Sequence, residues 1–366
     1  MFTSPLGQRR FRRAAASAAA LLIGASMLAA CGGGAGAGDD GETVALSGVN
    51  GDPTNGPSGA PFGAIQIAEG WDEADGYKLK WDVAQSATAG MQLMAAGSVD
   101  IAQGATPNGY AAAHLDDSIR VIGFLNGPNY LLTVPEDSDI AKPEDLAGKT
   151  IGVMTLGSSS HLMAQGAVKA AGLDPDDVTY LPVAIGAPMA EALNSGKIDV
   201  LVGWEGMWQS ISAIADTPLK RLDTRLTELY GQMLLTTTTD AIENKRDALV
   251  AYLRNFYRGC ALAADDPERA VEDHWDVFGN VAPPAAERDD RVVEYAEWNE
   301  DFYKTCIEPS PSTGTIGSLS QEELEETYQF FLDNGIVEDP IDLDTVVDLS
   351  LVEEAMDGFD VADYDS

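Results

Sequence analysis

The chain has 366 residues, of which 45% are hydrophobic and 22% are charged, a composition typical of a globular protein long enough for two lobes with their own cores. Its formal net charge is −37, from 59 acidic and 22 basic residues. A surface of this charge repels nucleic acid and anionic lipid headgroups, so we expect no nucleic-acid partner and no membrane contact through the folded body.

The first 31 residues are typical of a targeting segment. Basic residues 9–13 precede an apolar stretch, 14–30, that is short for a membrane span of about 20 residues. The stretch ends in Leu28-Ala29-Ala30-Cys31, which is similar to the bacterial lipoprotein signal, in which the cysteine is lipidated. We therefore expect an exported protein anchored through Cys31 to the outer face of the cell membrane. An ordinary signal peptide is the alternative, and residues 9–11 weakly resemble a twin-arginine signal.

Residues 32–42 are rich in Gly, Ala and Asp and predict a flexible tether. Beyond them, apolar alternation and short buried runs predict strands. These are expected at residues 43–49, 77–83, 120–124, 130–134, 150–153, 178–183 and 233–237, with two more beginning near 101 and 200. The C-terminal region is expected to be helical, at residues 247–264 and 287–306 and from a capping box at Ser320 and Glu323.

Two stretches, residues 91–101 and 189–200, are near copies of each other. Each predicts a helix, a glycine stop at Gly97 or Gly196, and then a buried parallel strand. We interpret them as one element of each of two similar α/β lobes, although helix-Gly-strand is common in any α/β protein. The expected organisation is lobe 1 at 43–135, lobe 2 at 136–234, and a return to lobe 1 with C-terminal helices and an acidic tail at 235–366. The chain is expected to cross between lobes near residues 134–140 and 235–240.

Cys260 and Cys306 are the cysteines that remain once Cys31 is lipidated. Both lie on expected C-terminal helices, and an exported compartment permits oxidation, so we predict a disulfide between them. Two buried free thiols are the alternative.

Several motifs resemble, in their order, those of the nitrate/sulfonate/taurine-type substrate-binding proteins of ABC importers, which include thiamine-precursor binders. The matching segments are Leu146-x-Gly148-Lys149-x-Ile151-Gly152-Val153, residues 171–178, Ala192-Leu193-x-x-Gly196-x-Ile198-Asp199, and residues 335–337 with 347–350. The resemblance implies an α/β, type II periplasmic-binding-protein fold with two lobes, a ligand cleft and two hinge crossings. It also implies a monomeric capture protein, not an enzyme, that delivers a solute to an ABC transporter permease. The alternatives are an enzyme on the same fold, acting on pyrimidine or menaquinone precursors, and the ligand-binding module of a sensor.

Ligands of α/β sheets bind beyond the carboxyl ends of strands, and the family places its ligand contacts at the same loops. The polar and aromatic residues of those loops are therefore the candidate ligand contacts. They are Thr54, Asn55, Ser86, Thr88, Gln103, Thr106, Ser158, Ser159, Ser160, His161, Trp204 and Glu205.

Three features of this set suggest the ligand's chemistry. Residues 157–160 at a helix start can favour an anion, although a plain N-cap is an equal alternative, and His161 is more typical of a first-turn helix residue. Trp204 offers a stacking face and Glu205 an acceptor for an amine or ring N–H, unless Trp204 is core packing. The expected ligand is a sulfonate, a pyrimidine, or an aromatic or amine-bearing compound, and the sequence predicts no catalytic residue, metal site or cofactor.

Overall fold

A computed structural model describes residues 43–51 and 56–364 of the chain. The expected leader at 1–31, the tether at 32–42, and the candidate residues Cys31, Thr54 and Asn55 lie outside the described residues. Within the described part of the chain, no helix combines the length and the apolar character that crossing a bilayer requires.

Ten strands lie in the described residues; nine of them are close to the predicted positions, and the strand at Leu219–Leu222 was not predicted. They are β1 (Val44–Asn50), β2 (Tyr77–Val83), β3 (Ile101–Ala105), β4 (Ile119–Leu125), β5 (Leu131–Pro135), β6 (Thr150–Val153), β7 (Thr179–Pro182), β8 (Val200–Gly203), β9 (Leu219–Leu222) and β10 (Met233–Thr238).

The helices between them, again within the described residues, cover the faces of two sheets. They are α1 (Ala64–Ala68), α2 (Trp71–Ala74), α3 (Ala87–Ala95), α4 (Thr106–Leu115), α5 (Ser159–Ala170), α6 (Ala187–Asn194), α7 (Glu205–Ala215), α8 (Thr239–Asp265), α9 (Pro267–Val277), α10 (Arg288–Cys306), α11 (Gln321–Asp333), α12 (Leu343–Val346) and α13 (Ser350–Met356). Short 3₁₀ turns occur at Pro57–Phe62, Pro143–Leu146, Pro175–Asp177, Arg225–Glu228 and Val361–Tyr364.

The two sheets share one topology, which confirms the predicted α/β fold class with two lobes. Sheet A has the strand order β2-β1-β3-β10-β4, and sheet B has the order β7-β6-β8-β5-β9. In sheet A, β1 pairs in parallel with β2 and β3, while β10 is antiparallel to β3 and β4. In sheet B, β6 pairs in parallel with β7 and β8, while β5 is antiparallel to β8 and β9.

The antiparallel strand of each sheet is the strand that has just crossed from the other lobe. The chain therefore passes from sheet A to sheet B between β4 and β5, at residues 126–130, and returns between β9 and β10, at residues 223–232. Both passages come earlier than the crossings predicted near 134–140 and 235–240, and β5 belongs to lobe 2 rather than lobe 1. The apolar run at 130–134 predicts a buried strand, but it carries no signal for which of two similar sheets the strand joins.

The repeated helix-Gly-strand stretch is α3 with β3 in lobe 1 and α6 with β8 in lobe 2. Gly97 and Gly196 both have φ of +67°, the left-handed conformation in which glycine carries no steric cost. An aspartate three residues after each glycine holds the following strand to its neighbour. Asp100 accepts a hydrogen bond from the Ser47 N–H and Asp199 accepts one from the Thr150 N–H, each at 2.8 Å. Equivalent glycine and aspartate residues therefore end the helix and fix the following strand in both lobes.

The C-terminal helices pack against both lobes. The disulfide expected between Cys260 of α8 and Cys306 of α10 is present, with Cα atoms 5.7 Å apart. Helix α10 also packs on α7 of lobe 2, where a Cβ at Gly206 would overlap Asn299 Oδ1. Helix α11 begins with the predicted capping box, in which the Ser320 and Glu323 side chains accept from each other's backbone N–H. Its Tyr328 packs on Tyr110 of lobe 1.

Candidate ligand-binding cleft

The carboxyl ends of strands from both sheets face a cavity of about 420 Å³, a size that suits a small organic molecule. Amides and hydroxyls form its polar lining, from Asn50, Gln85, Gln103, Asn108, Ser58, Ser86, Thr88, Thr155, Ser158, Ser159 and Ser160. Rings and apolar side chains form the rest, from Phe62, Tyr130, Trp204, Phe302, Met154, Met233, Val183 and Ile185. Of the candidate residues, the lining therefore includes Ser86, Thr88, Gln103, Ser158, Ser159, Ser160 and Trp204.

Two amide side chains form the lobe 1 wall of the cleft. Asn50 ends β1 and is the register partner of Gln103 on β3, so the two side chains lie next to each other. The indole N–H of Trp81 donates to Asn50 Oδ1 at 3.2 Å, which fixes the orientation of the amide. Gln103 is only 3% exposed, and its Nε2 has no hydrogen-bond partner. A buried donor of this kind normally has a partner, so the wall presents a donor that a ligand can satisfy.

The three serines at the start of α5 form the lobe 2 wall. The Ser158 hydroxyl donates to Thr155 O at 2.7 Å and caps α5 by accepting from the His161 N–H. Ser160 Oγ lies 2.9 Å from Ser158 Oγ and accepts from the Met154 N–H at 3.1 Å. This wall is thus a structural helix start, as the N-cap alternative predicts.

A polar chain links the two lobes across the cleft. Asn108 of α4 donates through Nδ2 to Thr88 Oγ1 at 3.0 Å, within lobe 1. Its Oδ1 accepts from the Ser159 hydroxyl of lobe 2 at 2.5 Å. The lobes therefore touch at one rim of the cavity through neutral hydrogen bonds.

Glu205 does not face the cleft, which corrects the prediction that it contacts the ligand. As the first residue of α7, its side chain is 5% exposed and pairs with Arg221 of β9 at 2.6 Å. Gln209 donates to its other oxygen at 3.2 Å. Burial raises the pKa of the Glu205 carboxyl, while the Arg221 guanidinium opposes that shift. Trp204 reaches the cavity, but the helix that begins at the next residue directs Glu205 elsewhere.

Thr106 and His161 also lie outside the cavity lining. Thr106 is fully buried, and its hydroxyl donates to Gly231 O at 2.6 Å, joining α4 to the return segment. His161 accepts from the Gly157 N–H at 3.0 Å and packs edge-on against Tyr180, with ring centroids 4.8 Å apart. Burial lowers its pKa, so the imidazole is neutral at pH 7. Both residues support the walls instead of contacting a ligand.

Most of the lining was missed by the sequence analysis, and Asn50, Asn108 and Phe302 show why. Asn50 ends the first predicted strand, so the strand-end rule that selected Gln103 also applies to it. Asn108 lies one turn into a helix, and Phe302 comes from a helix some two hundred residues away in the chain. No local pattern brings a distant helix to a strand end, and Phe302 was not identifiable from the sequence alone.

The described lining carries no Lys, Arg, Asp, Glu or His side chain. Nor do the described residues contain a group of three or more His, Cys, Asp or Glu side chains placed to hold a metal ion. Over the residues that the structure describes, the cleft has an uncharged, amphipathic lining, although the chain as a whole is strongly acidic.

Two mixed α/β sheets of one topology, joined by two chain crossings and enclosing a cleft, define the class of periplasmic-binding-protein folds. The model of the NMT1/THI5-like family matches residues 65–270, more than half of the chain, and the chain belongs to that family.

Individual relatives agree with this assignment. A protein of Brachyspira hyodysenteriae, named as an ABC transporter periplasmic binding protein, is 28% identical over 222 residues, which cover 55% of this chain. The match spans 61% of that relative's length.

Solved structures share the fold at low sequence identity. The periplasmic aliphatic sulphonate binding protein SsuA from Escherichia coli superposes with a TM-score of 0.61 at 18% identity, over 82% of this chain and 91% of that one. The desulfurization enzyme DSZB superposes with a TM-score of 0.52 at 16% identity, over 86% of this chain and 99% of that one. The fold therefore accommodates both a binding protein and an enzyme.

Proposed function

We propose that this protein is an extracytoplasmic, monomeric solute-binding lipoprotein of an ABC importer. It captures a small organic molecule in the cleft, closes its lobes on that molecule and delivers it to a membrane permease. The observation that carries the proposal is the uncharged, amphipathic lining of a cavity bounded by residues of both lobes. Membership of the NMT1/THI5-like family and similarity to a named ABC transporter binding protein support it.

Capture is tested by identifying what the purified protein carries. The full-length protein, purified without denaturant, is expected to release a small molecule on unfolding that mass spectrometry detects. Removing the indole of Trp204 deletes apolar contact area, so Trp204→Ala should weaken rebinding of that molecule by about 1–3 kcal/mol in titration calorimetry.

Trp71→Ala is the matched control, because Trp71 packs on α8 through Arg258, outside the cavity lining. It should bind the released molecule like the wild type. A protein that carries no molecule, or a Trp204→Ala variant with full affinity, contradicts the proposal.

The lipid anchor is tested separately at Cys31. Cys31→Ala removes the thiol that would carry the lipid, so the protein should appear in the medium or remain as uncleaved precursor. Ser26→Ala, in the same leader, keeps the thiol and serves as the control. Fractionation that finds Cys31→Ala in the membrane in normal mature form contradicts the anchor.

An enzyme on the same fold is the second candidate, favoured by the similarity to DSZB. General acid–base chemistry needs a titratable group near the substrate, and Tyr130 supplies the one phenol in the described lining. Because no carboxylate, imidazole or amine accompanies it there, we favour binding over turnover. Recovery of the captured molecule unchanged after long incubation distinguishes the two functions. A sensor module, the third alternative, would require a signalling partner in the membrane.

A further inference from the structure

The serine hydroxyls of the lobe 2 wall already donate hydrogen bonds to other protein atoms. The Ser158 proton goes to Thr155 O, so Ser160 is the donor in the 2.9 Å contact between the two hydroxyls. The Ser159 proton goes to Asn108 Oδ1. The three serine hydroxyls therefore donate within the protein, and the start of α5 offers a ligand the backbone N–H groups and helix dipole on which the anion expectation rests, with no charged side chain beside them.

The lobe 1 wall retains side-chain donors. Gln103 Nε2 is buried without a partner, and its side chain lines the cavity. Asn50 also lines the cavity, and because its Oδ1 accepts from the Trp81 indole, Nδ2 is the donor end of its amide. Two neighbouring amide groups thus point donors at one end of the cavity, where an acceptor on a ligand would satisfy them.

The charge around the cleft disfavours an ionised ligand. The described lining supplies no cation to balance an anion, and the chain's net charge of −37 makes the surroundings unfavourable to one. It supplies no carboxylate for a cationic amine either, because Glu205 is paired with Arg221 outside the lining. Burying an unpaired charge costs far more than burying a neutral polar group.

Resting on the proposed function, we infer that the captured molecule is uncharged and presents a carbonyl or sulfonyl oxygen to Gln103 and Asn50. Its flat apolar part lies among Phe62, Trp204 and Phe302. Aromatic carboxamides, lactams and sulfonamides have this chemistry, whereas sulfonates, carboxylates and alkylamines do not. Gln103 is the residue that selects the ligand's charge state.

Matched probes of one shape and different charge test the inference. Binding of nicotinamide is compared with nicotinate, and of benzenesulfonamide with benzenesulfonate, with benzylamine as the cation. Titration calorimetry of the full-length protein at millimolar probe concentration should show at least about tenfold tighter binding of the neutral member of each pair. Binding of the neutral probes should be insensitive to salt, because no charge is screened.

Two variants of Gln103 reverse or abolish this preference. Gln103→Leu removes the donor, so the carboxamide and the sulfonamide should lose about tenfold or more in affinity. Gln103→Glu keeps the shape and replaces a donor with a carboxylate, so benzylamine should bind better than to the wild type. Gln92→Glu, on the exposed face of α3, makes the same change outside the cavity lining and should leave the preference intact.

Each contrary result has a definite meaning. Equal or tighter binding of the anions, full neutral-probe affinity in Gln103→Leu, or no neutral-probe binding at all overturns the inference. If the protein nevertheless carries a releasable anionic molecule, the solute-binding proposal stands and the charge assignment alone fails. If it carries no molecule and binds no probe, both fail.

Discussion

Glycine and aspartate perform paired tasks at the end of the repeated helix in each lobe. Gly97 and Gly196 turn the chain in the left-handed conformation, and Asp100 and Asp199 then accept hydrogen bonds from the adjacent parallel strand, β1 or β6. In lobe 1 the arrangement is extended, because Lys245 Nζ pairs with Asp100 at 2.7 Å and donates to Ala45 O at 3.0 Å. Lys245 is also where α8 departs from helical geometry.

Alanine substitutions at two glycines of the same helix-turn unit should change the free energy of unfolding in opposite directions. Gly97→Ala should cost about 1 kcal/mol of unfolding free energy, because a Cβ disfavours positive φ although nothing lies within 4 Å of its position. Gly90→Ala lies inside α3, where a Cβ would make ordinary contact at 3.4 Å with Val49, and should stabilise by about 0.5–1 kcal/mol. Urea unfolding of both variants tests this, and equal signs would contradict it.

A buried carboxyl on α9 predicts a dependence of stability on pH. Burial, with Glu69 nearby, raises the pKa of Asp273 from 3.8 to about 7, and its Oδ2 has no hydrogen-bond partner. A raised folded-state pKa contributes stability that is present below the unfolded value and is lost as pH rises through the folded value.

Asp273→Asn cannot ionise and should therefore match the wild type near pH 4 and exceed its unfolding free energy by about 1–2 kcal/mol near pH 8. Glu268→Gln, at an exposed position of the same helix and not among the charges that shift the Asp273 pKa, is the control and should leave the shape of the profile unchanged. Parallel pH profiles of Asp273→Asn and wild type would contradict the assignment.

At the scale of residues, the sequence identifies strand ends better than side-chain directions. Gln103 and Trp204 follow predicted strands and do line the cavity, yet Glu205, one position beyond Trp204, is buried against Arg221. The direction of a side chain depends on the residue at which the next helix begins, and helix α7 begins at Glu205 itself. A shift of one residue in that boundary is below what composition and periodicity resolve.

Helix α10 connects the two lobes through three kinds of contact. Its last residue, Cys306, is bonded to α8, and the Tyr303 hydroxyl donates to Pro57 O of lobe 1 at 2.7 Å. Near its middle, Asn299 meets Gly206 of lobe 2. Phe302 lies between these contacts and lines the cleft. The helix was predicted from its sequence, but its role in the site was not, because that role depends on packing between distant segments.

The disulfide should contribute strongly to the stability of this element. Cys260 and Cys306 are 46 residues apart, and the loop-entropy model gives about 4 kcal/mol for such a closure. The double variant Cys260→Ala/Cys306→Ala should lose about that much unfolding free energy in urea titrations, and wild-type stability should fall similarly under reducing conditions. Thiol titration of the denatured, unreduced protein should find neither cysteine free, and two free groups would contradict the bond.

The whole molecule holds its lobes together at more places than the two crossings. Helix α10 joins α8 to α7, and α11 joins Tyr110 of lobe 1 to α5 of lobe 2, where Lys169 Nζ donates to Asn334 O at the end of α11 at 2.8 Å. Asn108 adds the bond to Ser159 at the rim of the cleft. Of these contacts, the rim bond is the one whose two partners both line the cavity.

Loss of the rim bond should favour an open cleft in the absence of ligand. Asn108→Ala removes the neutral hydrogen bond to Ser159 between the lobes, worth about 0.5–1.5 kcal/mol, so small-angle scattering should report a larger radius of gyration than for wild type. Asn194→Ala is the matched control, because Asn194 bonds Thr217 and Ala215 within lobe 2. Identical scattering by Asn108→Ala and wild type would show that this contact does not hold the lobes.

The late return of the chain to sheet A also sets an order of assembly during synthesis. Strands β3 and β4 are both made before residue 126, yet they are not neighbours, because β10 lies between them and begins at Met233. Until that strand arrives, the first sheet has a gap in its middle and two unsatisfied backbone edges. Lobe 1 is therefore incomplete until β10 is made, whereas all five strands of sheet B come from the continuous segment 131–222, and any truncation before residue 233 removes a central strand of sheet A.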